Sequence, residues 1–190
     1  MASVITDHGP QGLAAELNGL LDLDWPTVWA GIPADETKRG YWCEGFGWQP
    51  LWFQSGLWVR TRTGARLHLA SVRPGRRVTG VSYTAWQVRA DVAAENASIT
   101  TAAEEHHAAC LAALREILGP PDPPGDQETG KAPHRLARWT FRTPEAPDFE
   151  LGLHLAPGMA EGWGPGSATI SLTCRGQADP GTPQGPGWRL

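Results

Sequence analysis

Glu104, Glu105, His106, His107 and Cys110 lie within seven residues, and here the sequence comes nearest to a metal or thiol centre. Positions i and i+4 on a helix can present two ligands on one face, but zinc needs at least a third. His107 and Cys110 fall on the apolar stripe of the helix, whereas His106 turns sideways among alanines. A core histidine and a buried thiol therefore explain these residues better than ligation does, since free cysteine is commonly buried. A metal-dependent or thiol hydrolase using His106, His107 and Cys110 stays open as an alternative. No serine sits in a Gly-x-Ser-x-Gly elbow, and Gly45-Phe46-Gly47 is followed by aromatics rather than by a phosphate-binding helix. The expectation is a chain with no catalytic residue, no metal and no cofactor, hence not an enzyme.

Two other residue classes are concentrated. Residues 58–90 hold seven arginines and no acid, in a chain of net charge −4. A basic hairpin can bind phosphates, and a nucleic-acid binder using 58–90 is a further alternative. No nucleic-acid motif accompanies the charge, so a solvated outer face or an acidic protein partner fits better. Ten tryptophans are present, four of them from Trp42 to Trp58. Most should pack glycine-rich backbone, but Trp and Arg dominate interface hot spots. Trp48, Trp52, Trp58, Arg60 and Arg62 are the expected partner-binding residues, with Arg60 and Arg62 sharing one face of an alternating strand.

The elements that must position them follow from periodicity. Leu13, Leu17, Leu20 and Leu21 mark a first helix ending before Pro26, with Gly9 and Pro10 in its first turn. Tyr41 to Trp58 reads as irregular backbone with short strands. Strands are expected over 57–61, 65–72 and 78–89, the last bent near Ala85. Ala103, His107, Cys110, Leu111, Leu114, Ile117 and Leu118 mark a second helix, with Thr101 and Glu104 as a capping box and Gly119 as its stop. Three more strands follow, in which Trp139 and Phe141, then Phe149 to Leu155, then Ala168 to Cys174 alternate with polar residues. The expected fold is α+β: an antiparallel sheet of about five to six strands against two helices, in the order helix, three strands, helix, three strands.

A chain of 190 residues with 41% hydrophobic residues suits one domain, expected over 1–175, with a Pro/Gly-rich loop at 119–133 and a disordered tail at 176–190. Cys43, Cys110 and Cys174 are too few and too widely spaced for a disulfide framework or a zinc ribbon. No signal peptide or membrane-length apolar run is evident, so a cytoplasmic protein with reduced thiols and no membrane association is expected. The bias to Ala, Gly, Pro and Arg over Lys is that of high-GC bacterial genomes.

The order of elements resembles the small α+β folds of bacterial immunity proteins and secretion chaperones. Leu20 to Trp25 (LLDLDW), Gly47-Trp48, Leu114 to Pro121 (LREILGPP) and Arg138 to Phe141 (RWTF) also resemble an uncharacterised actinobacterial domain family over about residues 10–175. This resemblance implies no catalytic residues. The functional expectation is an immunity-type or adaptor protein that binds and blocks another protein, possibly a toxin, through a Trp/Arg-rich face.

Overall fold

The computed structural model describes residues 2–123, 134–141, 143, 146–156, 159 and 164–176. Strand β1 (Ser3–Asp7) leads into helix α1 (Gly9–Leu21), where Pro10 takes the first turn and Asp7 Oδ1 accepts the Gly9 N–H at 3.1 Å. Proline is tolerated there because its missing donor would have no helical partner. Helices α2 (Trp25–Ala30) and α3 (Glu36–Gly45) are each opened by an aspartate. Asp24 accepts the Thr27 N–H at 3.3 Å and Asp35 that of Lys38 at 2.9 Å. After the strands β2 (Gln49–Phe53), β3 (Gly56–Arg60), β4 (Arg66–Ala70) and β5 (Gly80–Arg89), a 3-10 turn (Ala93–Glu95) runs into helix α4 (Asn96–Leu118). Strands β6 (Arg135–Trp139), β7 (Asp148–Leu155) and β8 (Ser167–Arg175) complete the described chain.

Among the described residues eight strands form one sheet, seven in the order β2-β3-β4-β5-β8-β7-β6 and β1 paired with β5 off that path, with every pair antiparallel. β8 pairs with β5 from Val81 to Arg89. β4 pairs with the first half of β5, Gly80 to Tyr83, and β1 with the second, Trp86 to Arg89. β1 and β4 therefore lie end to end along the one edge of β5 that β8 leaves free.

The inner face buries Leu57, Val59, Leu67, Leu69, Val81, Tyr83, Phe149, Leu151, Ile170 and Leu172 against Leu13, Leu17 and Leu20 of α1 and Ile99, Cys110 and Leu114 of α4. Each such aliphatic side chain contributes on the order of 2 kcal/mol through removal from water. The bend expected near Ala85 is present as a register shift between Thr84 and Trp86. Two successive residues, Ala85 and Trp86, thereby become buried.

The α+β class and the antiparallel sheet agree with the sequence reading, but the count and order do not. Eight strands and four α-helices are present among the described residues, where five to six strands and two helices were expected. β1 is nearly all exposed, so no apolar alternation marks it. The second half of α3, from Tyr41, lies where irregular backbone was expected; the Asp35 cap and burial of Cys43 offset the cost of Gly40 in its middle. α4 starts at Asn96, not at a Thr101 capping box: Thr101 Oγ1 donates to the Ala97 carbonyl inside the helix at 3.2 Å. Gly119, at φ +79°, ends it as expected. Most of the expected 119–133 loop and all but the first residue of the expected tail fall outside the described residues.

Candidate functional site

Alternation along each strand sends the polar residues to the sheet face turned away from α1 and α4. There the registers align one residue from each of seven strands in a single line: Trp52, Trp58, His68, Ser82, Thr173, Glu150 and Arg138. One end of the line is aromatic. Trp52 and Trp58 stack at 5.7 Å between centroids, Trp58 and His68 at 4.7 Å, and the Arg66 guanidinium lies 6.0 Å from the centre of the Trp52 ring. His68 Nε2 also lies 3.1 Å from the Ser55 carbonyl, which fixes the ring edge. Directly opposed Arg60 and Arg66 extend this end. Neither forms an ion pair with an acid among the described residues.

The other end of the line is ionic. Buried Glu150 accepts from Arg138 at 2.7 Å and from Arg175 at 2.9 Å, one arginine on each carboxylate oxygen. Between the two ends run small polar side chains, Ser82, Thr84, Gln87, Thr169, Ser171 and Thr173, all half-buried. Where β1 and β4 share the edge of β5, they leave a groove of about 550 Å³, floored by Thr84 and Gln87 and walled by Trp58 and Arg66 on one side and Asp7 on the other.

The structure sorts the five expected partner-binding residues. Trp52 is 45% exposed, Trp58 is half-buried, and both share the outer face with Arg60. Trp48 does not join them. It is only 6% exposed, and its ring packs on Phe46 at 4.8 Å and Trp42 at 5.9 Å, because a bond from its N–H to the Cys43 carbonyl turns the chain back onto α3. Arg62 does not share a face with Arg60 either. β3 ends at Arg60, the chain turns with the Thr61 N–H on the Ala65 carbonyl, and the Arg62 guanidinium lies over Gly47. Arg66 and His68, which sequence reasoning did not select, take part in the stack; alternation within β4 against the apolar Leu67 and Leu69 would have found them. Trp163 and Trp188 lie outside the described residues.

His106, His107 and Cys110 are not brought together. His106 stacks on Trp86 at 5.0 Å and lies 3.6 Å from Asp7, His107 is buried beside β7, and Cys110 is buried in the core. Burial pushes the Cys110 thiol up to about 11, away from the thiolate that nucleophilic chemistry requires, and nearby Asp7 adds to the effect. Glu104 is held below the usual carboxylate range by hydrogen bonds from His134 and then Arg135. No three His, Cys, Asp or Glu side chains among the described residues are grouped as metal ligands. No helix among them is long and apolar enough to cross a membrane.

Comparison of the chain with protein-family models, with curated proteins and with solved structures finds no match. The functional reading therefore rests on the geometry of this face.

Proposed function

We propose that this chain is a non-catalytic binding protein of the immunity or adaptor type, which docks another protein on the aromatic end of its outer sheet face and blocks it by coverage. The observation that carries the reading is the Trp52–Trp58–His68 stack with Arg66 against Trp52, set on a sheet face and partly open to water. Stacked rings on a rigid ladder lose little freedom on binding, so their apolar area is available at small entropic cost. Arg60 and Arg66 lack an acidic partner within the described residues, which favours a docking protein with carboxylates around the contact, a toxin being one such partner. Trp52 and Arg66 are the expected hot spots, with Trp58 as the support beneath them.

The test is affinity capture from the native host followed by calorimetry with the purified partner. A stoichiometric complex is expected, weakened by about 2 kcal/mol or more in Trp52→Ala and progressively weakened by salt through Arg60 and Arg66. A captured protein whose affinity is untouched by Trp52→Ala and Arg66→Ala would place the interface elsewhere and remove the reading. So would binding of nucleic acid with a steep salt dependence in place of any protein.

A further inference from the structure

A second concavity lies on the opposite side of β3, away from the outer face. Helix α1, the bend into α2, the end of α3 and the β3–β4 turn enclose a cleft of about 400 Å³. Glu16 lines it, and Glu16 is the anomaly of α1. It occupies the buried stripe with Leu13, Leu17 and Leu20, where a leucine would be expected, and is 3% exposed. Burying a carboxylate costs several kcal/mol unless hydrogen bonds and opposite charge compensate it.

The compensation inside the chain is incomplete. Thr61 and Thr63 both direct their hydroxyls to the same oxygen, Oε2. Among the described residues both hydrogen bonds fall on Oε2 rather than Oε1, Oε1 is not among the fully buried atoms that lack a partner, and no Lys, Arg or His forms an ion pair with Glu16. Arg62 also lines the cleft, but its guanidinium is laid over Gly47 and makes no ion pair with Glu16. Asp22 and Asp24 add negative charge to the same lining, while Phe46 and Trp48 supply aromatic wall. The cleft thus offers a carboxylate largely withdrawn from bulk water, three acids (Glu16, Asp22 and Asp24) against one arginine, and aromatic sides, which is the complement of a cation carried on a hydrocarbon stem.

We infer that this cleft binds an organic ammonium group, its head on Glu16 Oε1 and its methylenes against Phe46 and Trp48. A divalent metal is a poorer match, since magnesium and calcium take six or more oxygen ligands. The ammonium can belong to a free alkylamine or to a lysine side chain of another protein, and the two sources are separable. The site is independent of the outer face, and either can fail without the other.

The experiment is calorimetric titration of the full chain with n-butylammonium, Nα-acetyl-lysine amide and, as the uncharged control, n-butanol, with the indole N–H resonance of Trp48 followed by NMR. Saturable binding of both cations and none of n-butanol is expected, with the Trp48 resonance shifted. Glu16→Gln should weaken binding at least about tenfold, as loss of a charge-assisted hydrogen bond does. Asp22→Asn, at an exposed position, should weaken it by a smaller factor at low salt and decides the matter should Glu16→Gln not fold. Tighter binding of the lysine amide assigns the site to a protein lysine, and tighter binding of butylammonium assigns it to a free amine. Absence of saturable cation binding, equal binding by n-butanol, affinity unchanged in both variants, or displacement of the amines by millimolar calcium would overturn the assignment.

Discussion

Trp58 stands between Trp52 and His68, with its ring planes only 26° and 28° from theirs, so one indole is covered on both faces by stacked neighbours from adjacent strands. The two neighbours are unequal in what they do for the fold. Trp52 lies on an edge strand and is the exposed member, so Trp52→Ala should cost the isolated protein only about 1 kcal/mol, the worth of one aromatic pair. Chemical denaturation of the variant measures this. A large loss of stability would make Trp52 a structural residue rather than a docking one.

Gly47 and Gly40 should respond oppositely to alanine. Gly47 has φ +69°, and a Cβ there would collide with the Arg62 guanidinium. Gly47→Ala should therefore destabilise by roughly 1–2 kcal/mol. Gly40 lies inside α3 with open space where a Cβ would go, and Gly40→Ala should stabilise by about 0.5–1 kcal/mol. Paired urea denaturation curves check both signs.

His107 gives the protein an acid-sensitive term. Its imidazole is buried, its Nε2 has no partner among the described residues, and burial lowers its pKa, with the nearby Leu151 carbonyl opposing only part of the effect. Between that lowered value and the unfolded value near 6.5 the unfolded chain binds the extra proton. Stability from this residue is therefore complete above about pH 6.5 and declines as the pH falls through the window below it. His107→Leu should flatten the pH dependence of the thermal midpoint in that window, at a cost of about 1 kcal/mol at pH 8 from the lost hydrogen bond to the Leu151 backbone. A variant whose midpoint falls with acid as steeply as the parent's would show that another group controls the slope.

The three thiols should be silent in the native protein. Cys43, Cys110 and Cys174 are all free and buried. Desolvation pushes Cys43 and Cys110 up to about 11, and it raises Cys174 as well. Titration with an aromatic disulfide at pH 8 should modify essentially none within minutes and all three in guanidinium chloride. Rapid reaction of one thiol would mean that its region opens locally.

Glu150 and Arg175 give the last contrast. Glu150→Ala should cost about 2 kcal/mol, because two arginines lose the buried carboxylate that they share. Arg175→Ala should cost under about 1 kcal/mol, because that arginine is largely exposed and Arg138 remains. Thermal or urea denaturation of both variants orders the two effects.

The parts of this molecule that the sequence made legible are those in which burial imposes a period. β4, β5, β8 and the apolar stripe of α4 all alternate or repeat in burial, and the bend at Ala85 shows where the alternation changes sign, whereas β7 alternates in residue type only, with Glu150 and Gly152 buried as well. What was illegible carries its signal in a few atoms: the Asp24 and Asp35 caps of α2 and α3, and a nearly all-exposed β1. The site divides in the same way. Trp52, Trp58 and Arg60 share a face because β2 and β3 pair there, whereas Trp48 and Arg62 lie beyond strand ends, where parity no longer applies. Glu16 escaped notice because a lone carboxylate in a leucine stripe is indistinguishable, by spacing, from one that faces water.

The seam between β5 and β8 joins Val81 to Cys174, so the middle of the sheet is stitched from segments far apart in the sequence. During synthesis the β2–β5 meander can zip locally, but it must wait for most of the remaining chain before its inner edge is capped. Until β8 emerges from the ribosome, that edge presents unpaired backbone to any neighbouring strand. The nascent chain is thus most vulnerable to mispairing just before β8 arrives.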